Sequence, residues 1–274
     1  MNEVQRIILS IFDEVSSICN ENHIPYYAIG GTCIGAIRHK GFIPWDDDLD
    51  IAVPIEYYDK LLSLLSKDLH EPLYVYSSKE VKHYKYIWAK VCNRETSFIE
   101  KVDYPYKDAY KGIFVDIMPI SGVPRSPFLR FIFRTKLKIL HSLNKIVRFE
   151  SSVGGRKSKI ISIISKTLLR LYPFYHFSES YFKLINRYPI YKSDFTGYVW
   201  SAQSIDRLVF PTSFFGEGIE MQFEDTKIHM PSEYHSYLSF QFGNYLELPP
   251  VEKRAIHDGI VDTDKSFVYY YDAL

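Results

Sequence analysis

The chain has 274 residues, 46% hydrophobic and 24% charged, with 33 basic and 33 acidic side chains in balance, the profile of a folded globular protein holding one large domain or a domain with a sizeable insertion. Cys19, Cys33 and Cys92 are odd in number and widely spaced, which excludes a disulfide framework or a CxxC zinc site. No run approaches the ~18 apolar residues of a spanning helix and the start is polar rather than signal-like, so a cytoplasmic location is expected.

In chain order, apolar residues at three- and four-residue steps predict a helix over 2–22, ended by His23-Ile24-Pro25. A short buried strand over 26–29 runs into Gly30-Gly31, and a helix is expected from Thr32 to His39. Strand 49–53 stops at Pro54, and a helix follows over 55–69. Segments 73–77, 84–92 and 97–100 read as strands, and 112–118 as the clearest later one. From 128 to 187 the pattern is helical, with helices at 128–147 and 157–171 around a loop at 151–155. Strand character returns at 197–201, 207–210 and in a hairpin of 219–223 with 227–230, before a last helix over 232–242. The expected organisation is a core over 1–125, a basic helical insertion over 126–190, and a C-terminal part, 191–274, that completes the core.

Chemistry concentrates between Ala28 and Val53. Side chains alternate along a strand, so Asp48 and Asp50 are expected on one face, about 6.5–7 Å apart. Two such carboxylates repel unless a cation sits between them, and a hard divalent ion that shares its shell with substrate phosphates is Mg²⁺ behaviour. Gly30-Gly31 allows close backbone approach, and amides at the following helix start suit a phosphate. Asp116, an acid inside the apolar run Phe114-Val115-Asp116-Ile117-Met118, needs a partner if buried. Arg38 and Lys90 are the cationic candidates for a diphosphate. Against this stands the plainer reading of Asp46-Asp47-Asp48 as a solvated turn and of Gly30-Gly31 as a common strand end. The three elements together favour a functional site.

These residues resemble a known signature. Gly30-Gly31-Thr32-Cys33-Ile34-Gly35, Arg38-His39-Lys40-Gly41 and Pro44-Trp45-Asp46-Asp47-Asp48-Leu49-Asp50-Ile51 are similar to the motif of the LicD family, which is related to fukutin and fukutin-related protein. Phe114-Val115-Asp116-Ile117-Met118-Pro119 and the tail Leu248-Pro249-Pro250-Val251-Glu252-Lys253-Arg254 with His257 fit as well. The resemblance implies an α+β, nucleotidyltransferase-like (polymerase-beta-like) mixed sheet with helices and a helical insertion. It further implies Asp48, Asp50 and Asp116 as catalytic acids, and Asp46, Asp48, Asp50 and Asp116 as ligands of Mg²⁺ or Mn²⁺. Asp116 is the acid expected to take the acceptor's proton. Gly30, Gly31, Thr32, Arg38 and Lys90 are expected to hold the donor.

The activity implied is transfer of phosphocholine from CDP-choline, or of ribitol- or glycerol-phosphate from its CDP-alcohol, onto a sugar hydroxyl of a cell-surface glycan. Nucleotidyl transfer from an NTP is the first alternative, and a non-catalytic glycan-binding protein the last.

Between Arg125 and Arg170 stand 12 Lys or Arg and one acid, Glu150, leaving 21 basic against 32 acidic residues elsewhere. Basic residues interleaved with Phe, Ile and Leu suit a helix lying on an anionic membrane, such as the inner face of the plasma membrane beside a lipid-linked acceptor. An ordinary helical subdomain with a cationic solvent face is the plainer alternative. The acidic remainder argues against nucleic acid as a partner.

Overall fold

The computed structural model describes residues 1–79, 81, 84, 86–148, 174–199, 209–254 and 258–274. Helix α1 (Glu3–Glu21) starts where Asn2 accepts from the Gln5 amide and the Gln5 side chain accepts from the Asn2 N–H. This reciprocal cap satisfies two amides that the first turn leaves without helical partners. One face of α1, including Ile8, Ile11, Phe12, Val15 and Cys19, is buried. It packs on helix α3 (Ile55–Asp68) and on the sheet.

The sheet is mixed. Strands β1 (Tyr27–Ala28), β2 (Asp50–Pro54), β6 (Phe114–Val123), β4 (Ala89–Asn93) and β3 (Leu73–Tyr76) lie side by side in that order. Strands β2 and β6 run parallel, and the other neighbours are antiparallel. Strand β6 is buried along its whole length, and its far end pairs with β7 (Phe195–Gly197), which pairs in turn with β8 (Val209–Pro211). Two ribbons complete the β-structure: β9 (Ile219–Phe223) with β10 (Thr226–Met230), and β5 (Ser97–Glu100) with β11 (Gly259–Asp262).

Helix α2 (Gly30–Arg38) joins β1 to β2 through the acidic loop. Helices α4 (Pro127–Arg148) and α5 (Phe174–Ile185) follow β6, and α6 (Tyr234–Phe242) follows the β9–β10 hairpin. Phe133 and Leu137 of α4 and Tyr181 and Ile185 of α5 belong to the same buried cluster as the α1, α3 and sheet residues. Burying a side chain of this size contributes roughly 1.5–3 kcal/mol.

Several boundaries differ from the sequence expectation. Strand β6 continues through Pro119, where the periodicity suggested a stop at Met118. The Asp116 amide donates to Leu49 O on the β2 side, so by alternation Pro119 nitrogen faces the β4 side. There the β4 ladder has already ended at Ala89 opposite Ile117, and no ladder bond is lost to the missing N–H. Among the described residues of 84–92, strand starts only at Ala89 and runs to Asn93; of the strands expected at 197–201 and 207–210, Gly197 ends β7 and Val209 begins β8, while 200–201 and 207–208 lie outside the described residues. The helix expected at 157–171 and the loop at 151–155 lie outside the described residues.

Candidate active site

The site forms where β1, α2, β2 and β6 meet. Strand β2 begins at Asp50, and Asp48 sits in the loop just before it. The expectation of two acids on one strand therefore holds for Asp50 and not for Asp48. Parallel pairing sets Asp50 beside Asp116 in register.

Helix α2 starts at Gly30, two residues before the expected Thr32, so the diglycine forms its first turn. Gly30 has φ of +56°, the left-handed region that a side chain disfavours. A Cβ on Gly31 would lie 2.7 Å from Asp46 Oδ2, and one on Gly30 would lie 3.8 Å from Asp50 Oδ2. Two carboxylates thus stand directly over the amino end of α2, where helix amides and the helix dipole favour negative charge. Thr32 Oγ1 accepts from the Asp50 amide at 2.8 Å, and Asp50 O accepts from Ile29 N at 3.2 Å, which fixes the strand start against the helix start.

The electrostatics centre on Asp50. Its Oδ1 is buried and has no hydrogen-bond partner among the described residues. Burial first, then the charges of Asp48, Asp116 and Asp46, hold its carboxyl well above the usual carboxylate range, opposed by Lys90. Asp116 is differently placed: its Oδ1 accepts from Lys90 Nζ at 2.5 Å and from Trp88 Nε1 at 2.6 Å. Lys90 is itself buried, with Phe114 and Tyr86 rings 3.5 and 4.5 Å from its ammonium. Burial pulls its pKa down, with Asp116 opposing.

The two cations expected at the diphosphate each have protein partners, and Arg38 stays in electrostatic reach of Asp46. Lys90 serves Asp116. Arg38 ends α2, about 12 Å along the helix from Gly30, and donates to Tyr245 O and Glu247 O at 3.1 and 3.3 Å. Long-range packing, which local spacing does not reveal, set both orientations. Of the predicted residues, the fold brings together Gly30, Gly31, Thr32, Asp46, Asp48, Asp50 and Asp116, with Lys90 behind Asp116.

Three supporting residues escaped the sequence reading. Gln5 Nε2 donates to Ile43 O and Asp46 O at 3.2 and 2.8 Å, anchoring the acidic loop on α1. Tyr237 of α6 accepts from Gly30 N at 3.0 Å and also bonds the Tyr198 hydroxyl. Trp88 supplies the second donor to Asp116. Gln5 carried one signal, a buried-face position on a helix where an amide needs partners; Tyr237 and Trp88 carried none.

Among the described residues no three His, Cys, Asp or Glu side chains converge into a ready-made metal cage. The donors still suit a hard cation: an unpartnered buried carboxylate oxygen on Asp50, with further acids in electrostatic reach. Mg²⁺ is commonly held by one or two carboxylates, with water and substrate phosphates completing its shell.

A mixed sheet thus presents carboxylates over a diglycine helix start. Residues 23–126 match the LicD/FKTN/FKRP nucleotidyltransferase domain. Over 262 residues it is 29% identical to the lipopolysaccharide cholinephosphotransferase LicD of Haemophilus influenzae (strain ATCC 51907 / DSM 11121 / KW20 / Rd), covering 94% of this chain and 95% of that one. A shorter match of 46 residues at 39% identity relates it to the uncharacterized protein RP689 of Rickettsia prowazekii (strain Madrid E), 17% of each chain.

Proposed function

We propose that this chain is a metal-dependent transferase of nucleotidyltransferase-like fold that moves phosphocholine, or a similar phospho-alcohol, from a CDP-linked donor to a sugar hydroxyl of a cell-surface glycan. The observation that carries the reading is Asp50: its carboxylate is held against the amino end of α2, beside Asp48 and in register with Asp116. The near full-length similarity to a cholinephosphotransferase supports the head group.

In this reading the acceptor oxygen bonds to the phosphorus that carries the head group, the phosphoanhydride bond breaks, and CMP departs. Asp48 and Asp50 would hold Mg²⁺ or Mn²⁺, with Asp46 close by; bound there, the ion would neutralise charge on the donor diphosphate. Asp116 Oδ1 already accepts from two N–H donors, which weakens it as a base. We therefore assign Asp116 to fixing the Lys90 charge behind the site, and the hydroxyl proton to the Asp48–Asp50 pair.

The test is a thermal-shift and product panel with CDP-choline, CDP-ribitol, CDP-glycerol and NTPs in the presence of Mg²⁺. A ligand that binds only the native state raises the melting temperature. CDP-choline should give the largest rise and, with a glycan acceptor added, release CMP as phosphocholine joins the acceptor. Pyrophosphate released from an NTP instead would establish nucleotidyl transfer and overturn the proposal.

A further inference from the structure

Helix α4 is apolar on two faces, and the protein covers one of them. Phe133 and Leu137 are buried, with Phe133 stacked edge-on against Tyr188 at 5.1 Å. On the other side Phe128 is 70% exposed, Phe131 56%, Ile139 54% and Leu129 51%. At 100° per residue Phe128, Ile132, Thr135 and Ile139 fall in one outward stripe with Phe131 beside it. Lys136 lies on one shoulder of that stripe, and Lys138 and Arg134 lie on the other.

The helix contains no acid. Next to Ile139 a groove of about 400 Å³ opens between α4 and α5, where Lys136, Lys183 and Arg187 stand around Ile139, Leu140 and Leu184, and among the described residues no carboxylate lines the wall. Lys183 also has Glu179 at 3.9 Å on its own helix.

We propose that the outward face of α4, with the α4–α5 groove, seats this protein on an anionic phospholipid surface. The apolar stripe from Phe128 to Ile139 is about 17 Å long and lies flat, as an interfacial helix does. The shoulder cations and the groove meet headgroup phosphates. Charge complementarity selects this occupant. A second copy docked symmetrically would oppose one acid-free basic helix to another, and a nucleic acid would leave the Phe and Ile side chains in water. Among the described residues no helix is long and apolar enough to cross a membrane, so the contact is peripheral. The proposal does not depend on the acidic site.

The full chain is floated with vesicles of phosphatidylcholine alone or mixed with phosphatidylglycerol. It should rise with the anionic vesicles at low salt, and salt should weaken this. Lys136→Gln and Lys183→Gln should each weaken partitioning about fivefold, and Phe128→Ser/Phe131→Ser/Ile139→Ser should nearly abolish it. These side chains are exposed, so circular dichroism and transfer to a water-soluble acceptor should be unchanged. In Phe131→Trp, indole emission should shift to the blue on anionic vesicles. Failure of the wild type to float at low salt, flotation of the serine variant equal to wild type, or an unshifted emission would each overturn the proposal. So would a dimer in light scattering that the serine variant converts to monomer while flotation persists.

Discussion

Lys90 and Asp116 face each other across the β4–β6 ladder, and their side chains meet at 2.5 Å in a buried ion pair. Removing one partner strands the other's charge in an apolar setting, which costs about 3–5 kcal/mol. Lys90→Met should lower stability by that order in urea denaturation, and Lys90→Met/Asp116→Leu should recover much of the loss. A Lys90→Met protein as stable as wild type would show that the pair does not carry charge.

The placement of Asp50 costs the fold stability. Its carboxylate is buried, unpartnered at Oδ1 and repelled by Asp48, Asp116 and Asp46. Asp50→Asn should leave the melting temperature unchanged or raise it, while transfer falls at least about a hundredfold. Asp48→Asn should lose activity to a similar degree. Retained turnover in both would remove the acids from the chemistry.

Gly31 is kept small by Asp46 rather than by backbone strain. The added methyl of Gly31→Ala would meet Asp46 Oδ2, the far end of a side chain that can swing away. Alanine also favours the helix by about 1 kcal/mol over glycine. Stability should therefore change little, whereas displacement of the carboxylate should cost up to about a hundredfold in turnover. Paired melting curves and rates decide this.

Tyr237 ties α6 to the diglycine turn. Tyr237→Phe removes the acceptor of the half-buried Gly30 N–H, and losing one such hydrogen bond costs about 1 kcal/mol. Amide hydrogen exchange at Gly30 should accelerate and turnover should drop. Unchanged protection at Gly30 would show that another acceptor serves it.

His141 of α4 gives the fold a pH dependence away from the site. Burial lowers its pKa, opposed by a contact with Val199 O at 3.3 Å. Its ordinary value is about 6.5, and a depressed folded value means that the unfolded chain takes the proton first. The contribution to stability is thus fully present above about pH 6.5 and is lost as pH falls through the folded pKa. Urea midpoints measured from neutral to acidic pH should decline more steeply for wild type than for His141→Asn.

The sequence by itself determined the helical stripe of α1, the diglycine followed by the acidic run, and Asp116 as an acid within an apolar strand. All of these are local: periodicities of two or 3.6 and glycine placement act within a few residues. Tertiary structure alone decided that Asp116 pairs with Lys90 and Trp88, that Arg38 turns toward Tyr245 and Glu247, and that Gln5 and Tyr237 brace Asp46 and Gly30. It also let β6 run on through Pro119, because β4 stops two residues earlier. The physical reason is the same in each case: partners 26 to 209 residues apart are chosen by strand order and register, and burial then forces each polar group to take the partner that packing places within reach.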